Sequence, residues 1–256
     1  MLPAPMPHGY TNDTTRDGPT VVKHYLGPDA ALRRETEARV LAALAGRLPV
    51  PPVLGGHGTR LTIGFMPGRH GQDLIAAGLA EPVLAACGRM LRRVHAIDPG
   101  LVLPGAPYRP GAVLVHGDYG PNNTLLDPAA RQVSAVLDWE WAHAGDAVED
   151  LAWCEWIIRM HHPEQTGSLG AFFGAYQDEP PWPDRHQAML ARCRELLDLS
   201  RRSSPPGGEP ARPWQGRQWQ DRPWQDRQRQ DRQRQDRQWQ ARQWQARLAI
   251  TASWTE

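Results

Sequence analysis

The sequence predicts an α+β protein of two lobes, a small β-rich lobe followed by a helical one, and then a low-complexity tail. Three observations carry this. Strand-type runs flank a single helix up to residue 64, apolar residues at helical spacing dominate from 84 to 199, and a five-residue repeat takes over after 211. The chain has 256 residues, enough for one large or two small domains with buried cores, and its apolar content is that of a globular protein. Its net charge of +1 is unevenly placed: residues 212–247 hold ten Arg against four Asp, so the body is mildly acidic and the tail basic. No apolar run approaches the length of a membrane span, and Met1 to Asn12 lacks the pattern of a secretory signal. A soluble, cytoplasmic protein with no membrane partner is expected. Cys87, Cys154 and Cys193 are odd in number and far apart, which suggests buried thiols rather than disulfides or a zinc knuckle.

The first strand is Val21 to Tyr25, V-V-K-H-Y, bounded by the turn-rich Arg16-Asp17-Gly18-Pro19. A helix follows between Asp29 and Gly46, with Leu32, Val40, Leu41 and Leu44 on its apolar face, and Pro49, Pro51 and Pro52 end it. Leu61 to Phe65 reads as another strand, and Met66-Pro67-Gly68 as a hinge between lobes. Beyond the hinge, Leu84 to Ile97 makes an amphipathic helix. Two short strands, Val113–Val115 and Val133–Leu137, each lead into a polar loop, with the Asp127-Pro128 turn between them. Helices are expected at Val148–Met160, Leu169–Gln177 and Arg185–Leu199.

These elements divide the chain into an N-lobe over residues 1–64, a C-lobe over 65–200, a linker over 201–211 and a tail over 212–256. From Arg212 to Ala246 the tail holds seven copies resembling R-Q-W-Q-D. A period of five turns each Trp by about 140° around a helix, so Trp214, Trp219, Trp224, Trp239 and Trp244 form no single stripe. A disordered tail is the expectation. Binding of single-stranded nucleic acid through Arg and Trp is not expected, because Asp interrupts the charge.

The chemistry concentrates in Val113 to Asn123, V-L-V-H-G-D-Y-G-P-N-N. An apolar strand delivers His116, Gly117 and Asp118 to a loop, with Asn123 five residues beyond the Asp. Fifteen residues later a second apolar strand ends in Asp138-Trp139-Glu140. One carboxylate to orient a hydroxyl, and two oxygen donors to hold Mg²⁺ against phosphates, are what metal-assisted phosphoryl transfer requires.

The pattern H-G-D-x-x-x-x-N, then an apolar strand and D-W-E, then Gly145-Asp146-Ala147-Val148-Glu149-Asp150-Leu151-Ala152, resembles the aminoglycoside phosphotransferase family of small-molecule kinases. The resemblance covers residues 8–160. It includes His8-Gly9-Tyr10-Thr11-Asn12-Asp13-Thr14 as the turn that covers the phosphates, Lys23 as the strand lysine and Glu37 in E-A-R-V-L-A-A-L as the helix glutamate. It implies a protein-kinase-like fold and transfer of the γ-phosphoryl group of ATP or GTP, with Mg²⁺, to a hydroxyl of a small molecule. Aminoglycoside-type antibiotics are the leading acceptor class; a metabolite such as choline, homoserine or a sugar-like alcohol, and a degenerate protein that only binds nucleotide, are the alternatives.

Carried over by the resemblance, Asp118 orients the acceptor hydroxyl and takes its proton, and Asn123 and Asp138 ligate Mg²⁺. Lys23 contacts the α- and β-phosphates and Glu37 holds Lys23, although Glu35 competes with Glu37 by a shift of helix phase. Tyr10, Thr11 and Asn12 cover the phosphates, His116 braces the loop, and Asp150 accepts hydrogen bonds from the loop backbone. The resemblance also leads to two departures: the short stretch before Gly9 suggests that a strand covering the nucleotide is missing, and the brief helical region before the repeat suggests a reduced acceptor side.

Overall fold

The computed structural model describes residues 4–5, 12–27, 29–105, 109–202 and 239–256. The described residues fall into two compact units, Met1–Ala188 and Met189–Glu256. The first unit opens with a five-stranded antiparallel sheet in the order β1-β2-β3-β5-β4. Its strands are β1 (Ala4–Pro5), β2 (Asp13–Asp17), β3 (Thr20–His24), β4 (Val53–His57) and β5 (Arg60–Gly64). β1 pairs with β2, Ala4 opposite Arg16. The strand expected to be missing is therefore present, too short for its alternation to register in the sequence.

Side chains alternate across the pleat, so Val21 and Lys23 of β3 share the buried face with Leu61 and Ile63 of β5. Lys23 sits directly opposite Leu61. A lysine placed on a core face must find anions, and α1 (Ala30–Leu44) supplies one. The buried stripe of α1 is Ala30, Arg33, Glu37, Val40, Leu41 and Leu44. This corrects the expected apolar face in one respect: Leu32 is 65% exposed. Arg33 and Glu37 displace it from the stripe because each meets buried charge across the interface.

After Met66-Pro67-Gly68 come β6 (Arg69–His70), α2 (Gly71–Ala76), α3 (Ala80–His95) and α4 (Pro99–Val102). β7 (Val113–Val115), β8 (Thr124–Leu126), β9 (Val133–Val136) and β10 (His143–Gly145) form two small sheets, β10-β7 and β6-β8-β9. α5 (Ala147–His161) and α6 (Leu169–Tyr176) complete the first unit, and α7 (Trp182–Arg202) runs from it into the second. α3 buries Val83, Leu84, Cys87, Leu91 and Val94, the i, i+3/i+4 stripe of an amphipathic helix. Gly88 lets α6 approach: a Cβ there would lie 2.2 Å from the Phe172 carbonyl oxygen. All three cysteines are buried thiols.

In the second unit, residues 239–252 form a helix, α8. This corrects the expectation of disorder for that stretch, whereas 203–238 lie outside the described residues. In the final repeat copies Ala241 and Ala246 take the position held earlier by Asp, and Ala, Arg, Gln and Leu are strong helix formers. Thr251 of α8 is fully buried and its hydroxyl lies 3.8 Å from Cys193 Sγ of α7. Trp239 stays 57% exposed and Trp244 is half-buried, in keeping with a period that gives them no common face. Among the described residues no helix is long and apolar enough to cross a membrane.

Candidate active site

A cleft of about 260 Å³ opens in the first unit. Val21, Ile63, Phe65, Met66, Leu125 and Leu137 give it apolar walls, and Lys23, Glu37, Asn123 and Asp138 supply its polar end. Four residues separated by up to 115 positions thus share one cavity, two of them on the sheet and helix of the small lobe and two at strand ends of the larger one.

Lys23 Nζ donates to Glu37 Oε2 at 2.6 Å and also to Asp138 Oδ1. Burial pulls the ammonium pKa down, but the charges of Asp138 and Glu37 outweigh it and hold Lys23 well above its ordinary value. Burial likewise works against the Asp138 carboxylate and loses to Lys23, so Asp138 sits below the usual carboxylate range. Glu37 is raised, by burial first and with Asp138 repelling it. The Tyr25 hydroxyl donates to the same Glu37 Oε2, so the carboxylate is held from two sides. Glu35, the competing residue, instead pairs on the surface with Arg39 at 3.0 Å.

Asp138 is one of the few non-glycine residues with a left-handed backbone, φ 62° and ψ 56°. Such a conformation costs roughly 1–2 kcal/mol, and Asp tolerates it better than most residues. It breaks β9 and starts a 3₁₀ turn over Trp139–Trp141, leaving the carboxylate in the cleft while Trp139 is fully buried.

The loop after β7 is fastened to this strand end by the backbone of Leu137. Its N–H donates to the Asn123 carbonyl at 2.8 Å, and its carbonyl accepts from His116 Nε2 at 2.8 Å. His116 Nδ1 in turn accepts the Asp118 N–H at 3.2 Å, which requires a neutral ring. Burial lowers the His116 pKa and so favours that neutral state, against the pull of Asp150. Gly117 has φ 81°, and a Cβ there would meet the Trp141 carbonyl oxygen at 2.7 Å, so the position between His116 and Asp118 accepts only glycine without a shift.

Asn123 Nδ2 donates to Asp118 Oδ2 at 2.8 Å and to the Asp118 carbonyl at 2.8 Å. This leaves the Asn123 side-chain oxygen Oδ1 and the Asp138 carboxylate, both residues lining the cleft, as hard oxygen donors. Such a set fits Mg²⁺, an ion that takes one or two protein oxygens and completes its shell with phosphate and water. Among the described residues no group of three or more His, Cys, Asp or Glu forms a dedicated metal cage.

Asp150 lies beneath the loop, fully buried. It accepts the His116 N–H at 2.7 Å, the Gly117 N–H at 2.9 Å and His95 Nε2 at 3.1 Å. Those donors hold its carboxyl below the ordinary range despite burial. The start of its helix is closed by Glu149 Oε1, which accepts the Asp146 N–H at 2.7 Å.

Tyr10 and Thr11 lie outside the described residues. Asn12 has a placement other than the one expected: it does not line the cleft. Its amide donates to Glu140 Oε2 at 2.9 Å, beside Arg33, which reaches the same oxygen at 3.0 Å. A buried carboxylate needs such donors, and Asn12 is drawn to it. Sequence reasoning missed Tyr25, Arg33, Glu140, His95 and Trp153. The last donates from Nε1 to Asp118 Oδ1 at 2.7 Å. Its signal was the i, i+3 spacing from Asp150, which puts both on one helix face.

The model of the phosphotransferase enzyme family matches residues 4–111 and 103–196. Over 68 residues the chain is 37% identical to hygromycin-B 4-O-kinase of Escherichia coli, a match that spans 22% of this chain and 19% of that protein. Among solved structures it resembles the GDP and kanamycin complex of APH(2")-IIia, with TM-score 0.63 and 14% identity, covering 79% of this chain and 87% of the other. It also resembles the streptomycin and ATP ternary complex of APH(2")-IIa, with TM-score 0.55 and 14% identity, covering 77% and 84%. These likenesses establish a protein-kinase-like fold, and with the family match over most of its length the chain belongs to the phosphotransferase enzyme family.

Proposed function

We propose that the protein is a small-molecule kinase that transfers the γ-phosphoryl group of ATP or GTP to a hydroxyl of an aminoglycoside-type acceptor. The observation that carries this reading is the convergence of Lys23, Asn123 and Asp138 on one apolar-walled cleft, with Asp118 hydrogen-bonded to Asn123 at its edge. The apolar walls suit a purine, and the polar end suits a triphosphate. Asn123 and Asp138 would hold Mg²⁺, which when bound neutralises phosphate charge.

In this reading Lys23, aligned by Glu37, contacts the α- and β-phosphates. Asp118 receives a hydrogen bond from the acceptor hydroxyl, aims its oxygen at the γ-phosphorus and takes the proton as the new P–O bond forms and the bond to the leaving diphosphate breaks. Catalysis is then mostly positioning and charge neutralisation. The acidic body of the chain, and relatives named for hygromycin B or solved with kanamycin and streptomycin, support a cationic amino-sugar acceptor.

The test is incubation of the purified full chain with MgATP and MgGTP against kanamycin, streptomycin, hygromycin B, choline and homoserine, reading product masses. A product 80 Da heavier than an antibiotic is expected and is abolished in Asp118→Ala. Phosphorylation of choline or homoserine alone would favour a metabolite kinase. Nucleotide binding with no product from any acceptor would favour a degenerate binding protein.

A further inference from the structure

We infer that Trp153 is a positioning residue for phosphoryl transfer, fixing the Asp118 carboxylate through its indole N–H; this rests on the proposed role of Asp118. The carboxylate is gripped on both oxygens from independent parts of the chain. Trp153 Nε1 donates to Oδ1 at 2.7 Å, and Asn123 Nδ2 donates to Oδ2 at 2.8 Å. One donor on each oxygen stops rotation about the Cβ–Cγ bond, the freedom by which an Asp that must face a hydroxyl loses its aim.

The indole is itself immobile. Trp153 and Trp156 stack with centroids 4.3 Å apart and ring planes within 4° of parallel, and both are buried. The ring belongs to α5, and three residues earlier on the same face Asp150 accepts the His116 and Gly117 N–H groups. One face of one helix thus fixes the loop backbone through Asp150 and the side chain that follows through Trp153. An indole N–H only donates, so it is matched to a carboxylate that must accept and never to one that must give a proton.

Trp153→Phe keeps the ring and the stack and deletes only the donor. With kanamycin, streptomycin and hygromycin B as acceptors, and with water alone, its kcat from MgATP is expected to fall about 10- to 100-fold while KM for ATP stays within twofold. Ile158→Val, a packing change in the same helix, should keep wild-type kcat. In the ¹⁵N-labelled full chain, the Trp153 indole resonance, identified by its loss in Trp153→Phe, should shift on Asp118→Asn. Retention of kcat by Trp153→Phe while Asp118→Asn is inactive would overturn the inference and leave the proposed function standing. An equal fall of Ile158→Val and Trp153→Phe would reduce Trp153 to packing, and full activity of Asp118→Asn would overturn both the inference and the reading beneath it.

Discussion

Replacing Asp150 by Asn changes one atom in the support of the loop and leaves its shape intact. The carboxylate accepts three hydrogen bonds: the His116 N–H and His95 Nε2–H on Oδ2, and the Gly117 N–H on Oδ1. An amide can keep its oxygen toward His116 and His95, but its NH₂ then faces the Gly117 N–H, donor against donor. One charge-assisted bond is lost, about 1.5–3 kcal/mol, and the stranded N–H adds a share of its desolvation penalty of about 1–3 kcal/mol. We expect Asp150→Asn to destabilise by about 2–4 kcal/mol, and Asp150→Ala, which abandons all three donors, by about 3–5 kcal/mol. Urea unfolding followed by tryptophan fluorescence measures both, with the slope checked for constancy. A loss below about 0.5 kcal/mol for Asp150→Asn, or an Ala variant no worse than the Asn variant, would refute the reasoning that this carboxylate holds the loop.

Gly117→Ala combines a left-handed backbone, roughly 1–2 kcal/mol of strain, with a Cβ 2.7 Å from the Trp141 carbonyl oxygen. The loop must move, so turnover should fall at least tenfold while the fold survives; a wild-type kcat would contradict this. Lys23→Met removes the cation shared by Glu37 and Asp138, and calorimetry should show the Kd for MgATP rising about 10- to 100-fold, the equivalent of one charge-assisted contact. His116 titrates below its ordinary 6.5 because burial disfavours the imidazolium. The unfolded chain therefore takes up this proton first as pH falls, so stability is full above about pH 6.5 and declines below it, by at most about 1.4 kcal/mol per pH unit. Thermal unfolding between pH 8 and 5 should show a shallower decline for His116→Gln than for wild type, and parallel slopes would exclude His116 as the source.

Elements whose pattern is set by their own residues were legible in the sequence. α5 was expected over Val148–Met160 and spans Ala147–His161, and β7 matches Val113–Val115. The short edge pieces β1 and β6 were not, because two residues show no alternation and their pairing is decided by the neighbouring strand. Motif spacing led to the residues that now share the cleft. It could not lead to Tyr25 or Arg33, whose roles depend on which faces meet across the fold, and Trp153 carried only the signal of its i, i+3 spacing from Asp150. Leu32 illustrates the limit: periodicity gave it a core position, and buried charge across the interface gave that stripe to Arg33 and Glu37. The same holds for α8, where the repeat gave no apolar stripe and one buried Thr251 beside Cys193 accompanies the helix.

The geometry separates the site into two halves that rest on different elements. Lys23 and Glu37 belong to the sheet and α1, and their contact is an ion pair under Tyr25. Asp118 is held by α5 through Asp150 and Trp153, neither of which lines the cleft. The halves meet at Leu137, whose backbone joins the Asn123 carbonyl and the His116 ring just before Asp138. Asp138 joins them, pairing with Lys23 and following the strand end that the loop holds. Changes at Lys23 or Glu37 should therefore appear as weaker nucleotide binding, and changes at Asp150 or Trp153 as slower turnover at unchanged nucleotide affinity. Asp138 is the position where the two effects cannot be parted, because its side chain pairs with Lys23 in the cleft while its left-handed backbone ends the strand that the loop holds.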